Sequence, residues 1–149
     1  MTQNLLGISS EKYLSKLNKY KVFTILLGIL AVAINILFLF LRTDENHNTL
    51  LALSIVVTVA SGWIITALVG LVIKPMTRLY ELSLRPTECV LSKIERINTE
   101  PYRVESFDCF EIYTANNIYF LIADGNIRLK EGDTVTLFIA SNIITEVRI

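Results

Sequence analysis

The chain has 149 residues, 14 Lys/Arg against 14 Asp/Glu, 52% apolar residues, 19% charged residues and a mean hydropathy of +0.51. Soluble domains average about 25% charged residues, so this composition argues against an ordinary cytosolic globule, and its apolar content excludes a disordered chain. The length allows one or two small units.

Zero net charge hides an asymmetry. Residues 1–85 carry eight Lys/Arg and four Asp/Glu, a balance of +4, and residues 86–149 carry six and ten, a balance of −4. The basic part holds long apolar runs. The acidic part is alternating and punctuated by turn residues. The composition shift marks a boundary near Leu84–Pro86.

Residues 1–21 form a cytosolic amphipathic segment. Tyr13, Leu14, Leu17 and Tyr20 fall at helical spacing, and Lys12, Lys16, Lys19 and Lys21 lie largely on other faces. Two readings stay open: a short helix along the inner leaflet with its ammonium groups on anionic headgroups, or a solvated extension of the helix that follows.

Residues 22–41 contain no charge, and fifteen of the twenty are Val, Ile, Leu or Phe. At about 1.5 Å per residue they cover roughly 30 Å, a bilayer's hydrocarbon thickness. Their side chains favour insertion by about 4–9 kcal/mol, which Asn35 does not overturn. The run is too long for a signal-peptide core, and Leu39–Arg42 offers no small-residue cleavage pattern. The reading is an uncleaved first transmembrane helix. Residues 42–49 are a short polar loop, long enough only for an antiparallel hairpin. Residues 50–73 are again uncharged, with fourteen Val, Ile or Leu, and form the second transmembrane helix. Lys12, Lys16, Lys19 and Lys21 precede the pair, and Lys74, Arg78 and Arg85 follow it, whereas the loop holds Arg42 and two acids. Cation-rich flanks stay inside. Both termini are therefore expected in the cytoplasm, with the hairpin in a plasma or inner membrane.

Within the second span, Ser54, Thr58, Gly62, Thr66 and Gly70 recur every four residues. In lipid, helices associate through close packing at small residues and through interhelical hydrogen bonds. The stripe is the expected packing face, toward either the first span or another chain. In the first case Asn35 would bond Thr58 or Ser61. Trp63 lies mid-span and reads as packing. No ionisable residue interrupts either span, so a proton relay or charged transport path has no support.

Residues 74–86 form a connector helix with Met76, Leu79, Tyr80 and Leu84 at helical spacing; Pro75 either opens or kinks it, and Pro86 ends it. Residues 87–149 switch to period two. Five strands are predicted: Glu88–Ile97, Tyr102–Thr114, Ile118–Ala123, Thr134–Ala140 and Ile143–Ile149, with a bulge near Ser106–Asp108 where the pattern shifts phase. Breaks fall at Asn98–Pro101, Ala115–Asn117, Asp124–Asn126, Glu131–Asp133 and Ser141–Asn142. The expected fold class is therefore a membrane protein: a two-helix transmembrane hairpin followed by a small all-β domain, an OB/SH3-like five-stranded barrel. Leu129–Val135 looks like the Gly-Asp turn that enters a strand in such barrels. The plan of a membrane hairpin followed by a small barrel is similar to that of NfeD-like membrane proteins, without their glycine-rich strand pattern.

The chemistry expected of the β domain is sparse. Its aromatics, Phe107, Phe110, Tyr113, Tyr119, Phe120 and Phe138, read as core, and its acidity opposes nucleic acid. The single histidine, His47, lies in the outer loop near Asp44 and Glu45, which read as surface acidity rather than a metal site. Cys89 and Cys109 are expected as free, buried thiols on consecutive strands. No catalytic residue, cofactor or metal is expected, nor a small-molecule substrate or nucleic acid partner. The partners expected are the lipid bilayer and either copies of this chain or a larger membrane complex. The reading is a non-catalytic accessory or scaffold protein. The alternatives are a subunit of an oligomeric pore with a cytoplasmic β vestibule and a sensor of the lipid surface.

Overall fold

A computed structural model describes residues 1–43 and 45–149. Asp44, part of the expected outer loop and of the acidic pair beside His47, lies outside the described residues. The chain divides into two units: Met1–Tyr13 with Arg78–Ile149, and Leu14–Thr77.

Among the described residues the first unit contains a six-stranded sheet, not a five-stranded one. Its strands are β1 (Thr2–Asn4), β2 (Glu88–Val104), β3 (Phe107–Thr114), β4 (Ile118–Ile122), β5 (Thr134–Ala140) and β6 (Ile143–Arg148). The order is β1-β6-β4-β3-β2-β5, and β5 also pairs with β6. The pairings are antiparallel apart from β4–β6, where Phe120 faces Ile143 in parallel. Period-two alternation places Val135, Leu137 and Ile139 of β5 in the core with Ile94, Ile112 and Val147. The turn at Ser141–Asn142 has φ of 52° and 66°, the paired positive values that suit a two-residue hairpin.

The additional strand comes from the other end of the sequence. Thr2 faces Arg148, Gln3 faces Val147 and Asn4 faces Glu146. Leu5, just beyond, donates its N–H to the Thr145 carbonyl at 2.8 Å and buries its side chain in the core. Gly7 turns the chain with φ of 70°, and a Cβ there would meet the Asn126 side chain at 2.8 Å. This corrects the reading of residues 1–21 as one amphipathic segment. Residues 1–8 belong to the sheet unit, where Leu5 and Leu6 gain burial unavailable to an isolated peptide.

The second correction concerns the first hairpin. Asn98–Pro101 is not a turn: β2 runs through it, and the chain reverses at Glu105–Ser106, where Glu105 has φ of 54°. The register shifts between Asn98 and Tyr102, so the extra residues form a bulge in β2, not near Ser106–Asp108. Pro101, with no N–H to give, is tolerated in such an irregularity. The later reversal places the cysteines on separate parts of the sheet. Cys109 faces Tyr102 and Ile122, whereas Cys89 faces Phe138.

The helices are α1 (Ser10–Phe40), α2 (His47–Leu68) and α3 (Lys74–Ser83), with a π-helical turn, Val69–Ile73, joining the last two. α1 and the continuous helix His47–Ser83 are both long and apolar enough to cross a membrane. α1 runs unbroken from Ser10, so residues 10–21 extend the helix that follows and do not form a separate segment along a surface. Pro75 neither starts a helix nor breaks one. Its ring would crowd the carbonyl four residues back, and the widened turn before it, in which the Lys74 N–H reaches the Val69 carbonyl, relieves that crowding.

Candidate functional site

The sequence offers two places where function can reside: the helix pair and the surface of the sheet unit. In the helix pair, half-buried residues follow a 4-3-4-3 spacing on α1 (Thr24, Gly28, Ala31, Asn35, Phe38) and a 3-4-4-3 spacing on α2 (Ser54, Val57, Ser61, Ile65, Leu68). Both average 3.5 residues, the period of a helical seam that keeps facing its partner. The seam carries one interhelical polar node. Asn35 Nδ2 donates to the Ala31 carbonyl at 2.8 Å and to Thr58 Oγ1 at 3.3 Å, and Asn35 Oδ1 accepts from Ser54 Oγ. Of the two expected partners of Asn35, the structure brings Thr58 and adds Ser54. Ser61 instead donates to the Val57 carbonyl at 2.7 Å. Gly28 also sits on the seam, where a Cβ would lie 3.8 Å from Ile65.

The small-residue stripe follows a different period. Each four-residue step advances about 400°, so from Ser54 to Gly70 the stripe rotates about 160° around the helix. Ser54 and Thr58 therefore meet α1, whereas Gly62, Thr66 and Gly70 are exposed. Among the described residues nothing comes within 4 Å of a Cβ at Gly62 or Gly70. Thr58, Val59, Gly62, Trp63, Thr66 and Ala67 line an open, apolar groove of about 530 Å³. Thr66 Oγ1 donates to the Gly62 carbonyl at 2.8 Å, and Thr58 Oγ1 to the Ser54 carbonyl at 2.9 Å. These hydroxyls are thus satisfied within their own helix, and what the groove offers is close approach. Trp63 stands at its side, 77% exposed.

Lys12, Lys16, Lys19 and Lys21 are all exposed along α1. At the opposite end, Arg42 donates through Nε to His47 Nδ1. Among the described residues no three His, Cys, Asp or Glu side chains gather in a metal-binding group.

On the sheet unit, Glu111 accepts from Asn98 Nδ2 at 3.0 Å and from the Tyr113 hydroxyl at 2.9 Å. The Asn98 amide, then the Tyr113 hydroxyl, hold the Glu111 carboxyl below its ordinary range, with Arg96 helping; donation to Glu111 pushes the Tyr113 hydroxyl up. Arg96 lies 5.8 Å from the Tyr113 ring centroid. The cluster spans β2 and β3 at the bulge and pins its two sides together. Elsewhere Arg85 pairs with Glu105 at 2.9 Å, and Arg148 stacks 4.5 Å above Phe138. Of the expected core aromatics Tyr119 is buried, and Phe107 and Phe120 pack against the core while half-buried.

Both cysteines are free thiols, but only Cys109 is buried; Cys89 is exposed. Burial, reinforced by Asp108, pushes the Cys109 thiol up to about 11. At neutral pH Cys109 is therefore inert and Cys89 accessible. The residues missed from sequence are Leu5, Gly7 and Leu82; Tyr13, expected on the apolar face of the N-terminal segment, is buried in the sheet unit. Tyr13 stacks on Tyr80 with ring centroids 6.5 Å apart. The apolar pair Leu5-Leu6 before Gly7 was the available signal.

The chain matches no family model, no curated protein and no solved structure.

Proposed function

We propose that this chain is a two-span membrane protein that anchors an acidic β unit on the cytoplasmic side and assembles through its second helix and its β unit. It serves as an accessory or scaffold component, without catalysis, either with its own copies or in a larger membrane complex. The observation that carries the reading is the β1–β6 pairing. A strand from before the first long helix pairs with one from after the second. Wherever those helices cross a membrane, residues 2–4 and 146–148 must share one side, so the number of crossings is even. The exposed apolar side chains along both helices support spanning, since a soluble core helix would bury them. The excess of Lys and Arg beside the spans supports the cytoplasmic side. The strand circuit β2-β3-β4-β6-β5, returning to β2, supports a small barrel. Its β4–β6 link of one residue pair fits the partly open OB plan.

The thiols test the orientation. A membrane-impermeant maleimide is expected to leave the chain unlabelled in intact cells and to label one thiol, Cys89, after permeabilisation, with Cys89→Ser abolishing the signal. Labelling of Cys89 in intact cells would place the β unit outside.

Assembly is tested at the groove. Gly62→Leu combined with Thr66→Leu is expected to reduce the complex isolated in mild detergent to single chains, because two isobutyl groups fill the close-approach surface. Unchanged assembly would remove this face from the interface. A closed ring of subunits that conducts ions in planar bilayers would favour the pore reading instead.

A further inference from the structure

We infer that Lys16, Lys19, Lys21 and Lys74 form a collar that holds the phosphate headgroups of anionic lipids. The inference rests on the two-span reading above and adds the lipid class that the spans select. α1 is one unbroken helix from Ser10 to Phe40, so helical rise fixes how far each lysine stands from the apolar run that begins at Val22. At about 1.5 Å per residue, Lys21 lies about 1.5 Å from it, Lys19 about 4.5 Å and Lys16 about 9 Å. On the other helix Lys74 directly follows Ile73, the last residue of its apolar run. No acid of either helix enters this zone. Glu11 lies about 16 Å from the first run and Glu81 about 12 Å from the second.

Charge is thus sorted by height: the four lysines and Arg78, about 7.5 Å from the second run, stand at headgroup level, with the acids farther out. All four lysines are exposed. Among the described residues the ion pairs are Arg85–Glu105 and Arg148–Glu146, so none of the four is neutralised. At 100° per residue, Lys19 lies about 60° around the helix from Lys16, and Lys21 about 140° from Lys16 on the other side. The charges therefore surround α1 instead of marking one face, and their alkyl stems lie along the apolar run while the ammonium groups reach phosphate. Lys12, about 15 Å from the run, stands farthest out of the lysines on α1 and is not counted in the collar. A lysine near an anionic surface gains about fivefold in partitioning, and four acting together select anionic over zwitterionic lipid.

Trp63 supplies the reporter. It is the single tryptophan of the chain and stands exposed in the middle of the second apolar run. The full chain is reconstituted in phosphatidylcholine vesicles containing a fixed fraction of acyl-brominated lipid, either phosphatidylglycerol or phosphatidylcholine. Brominated phosphatidylglycerol is expected to quench Trp63 as though enriched at least threefold around the protein. Raising the salt should reduce that preference, and millimolar inorganic phosphate at matched ionic strength should leave it in place. Replacing the four lysines and Arg78 with Gln should erase it, and replacing the four lysines with Arg should preserve it. Equal quenching by the two lipids in the native chain, or a preference that survives the Gln replacements, would overturn the collar. Competition by free phosphate would overturn the lipid as its ligand. Absence of quenching by either lipid would instead overturn the two-span reading itself, so the two failures are distinguishable.

Discussion

Leu5→Ala is expected to destabilise the β unit by about 2–5 kcal/mol, the usual range for truncating a buried leucine. Leu5 is 1% exposed and belongs to the core cluster. Its surroundings hold it tightly. The Leu5 N–H donates to the Thr145 carbonyl at 2.8 Å, and the Leu5 carbonyl accepts from Asn126 Nδ2 at 3.2 Å. Next to it, Gln3 Oε1 accepts from the Arg128 N–H at 2.7 Å. These bonds fix the backbone around the site, so the cavity left by the lost methyls cannot readily collapse. Small domains are marginal, with total stabilities of about 5–15 kcal/mol, and a loss of this size is a large part of the whole. The measurement uses Cys109, which is buried and free, in a Cys89→Ser background. Its maleimide labelling requires opening of the core. Labelling is expected to accelerate from about thirtyfold to several thousandfold, since each 1.4 kcal/mol is a factor of ten. An unchanged rate would mean that β1 does not close the core.

The parts legible from sequence were those decided by one-dimensional patterns. Twenty and twenty-four uncharged residues in a row specify long apolar helices without regard to tertiary context. Alternation and turn residues located β4, β5 and β6 to within a residue; burial alternates along most of β5, whereas β6 buries Ile143, Ile144 and Thr145 in succession. β1 was not legible. Thr2-Gln3-Asn4 is polar and too short to show a period, and its partner strand lies at the far end of the sequence. The first hairpin was misplaced because Asn98-Thr99-Glu100-Pro101 has turn chemistry, whereas Glu105-Ser106 lacks it. Pairing with β3 decided between them, and Asn98 instead uses its side chain to accept from the Glu100 N–H at 3.1 Å and to hold Glu111. In the helix pair, the four-residue stripe was visible and the 3.5-residue seam was not. Leu, Ile and Val fill both helices all round, so hydrophobicity carries no facing information there. Asn35, the polar exception, was the position whose interhelical bonding could be anticipated.

Leu82→Ala and Leu84→Ala are expected to diverge sharply, although the two residues lie two positions apart. The helical spacing of Met76, Leu79 and Tyr80 enlists Leu84 as the next apolar contact and passes over Leu82. The structure reverses this. Leu82 is 1% exposed within the core cluster, and Leu84 is 61% exposed. The helix closes where the Leu84 N–H reaches the Glu81 carbonyl and the Arg85 N–H reaches the Leu82 carbonyl, both at 3.2 Å. These three-residue closures tighten the last turn and carry Leu84 away from the face that Leu79 and Leu82 share, so the last turn of α3 is part of the sheet's core. Truncating Leu82 should cost about 2–5 kcal/mol, read as faster Cys109 labelling in the same Cys89→Ser background. Truncating Leu84 should stay within about 0.5 kcal/mol of the parent, as surface substitutions generally do. The reverse ranking would mean that α3 docks on the face its periodicity suggests. Equal small effects would mean that the helix is not part of the core at all.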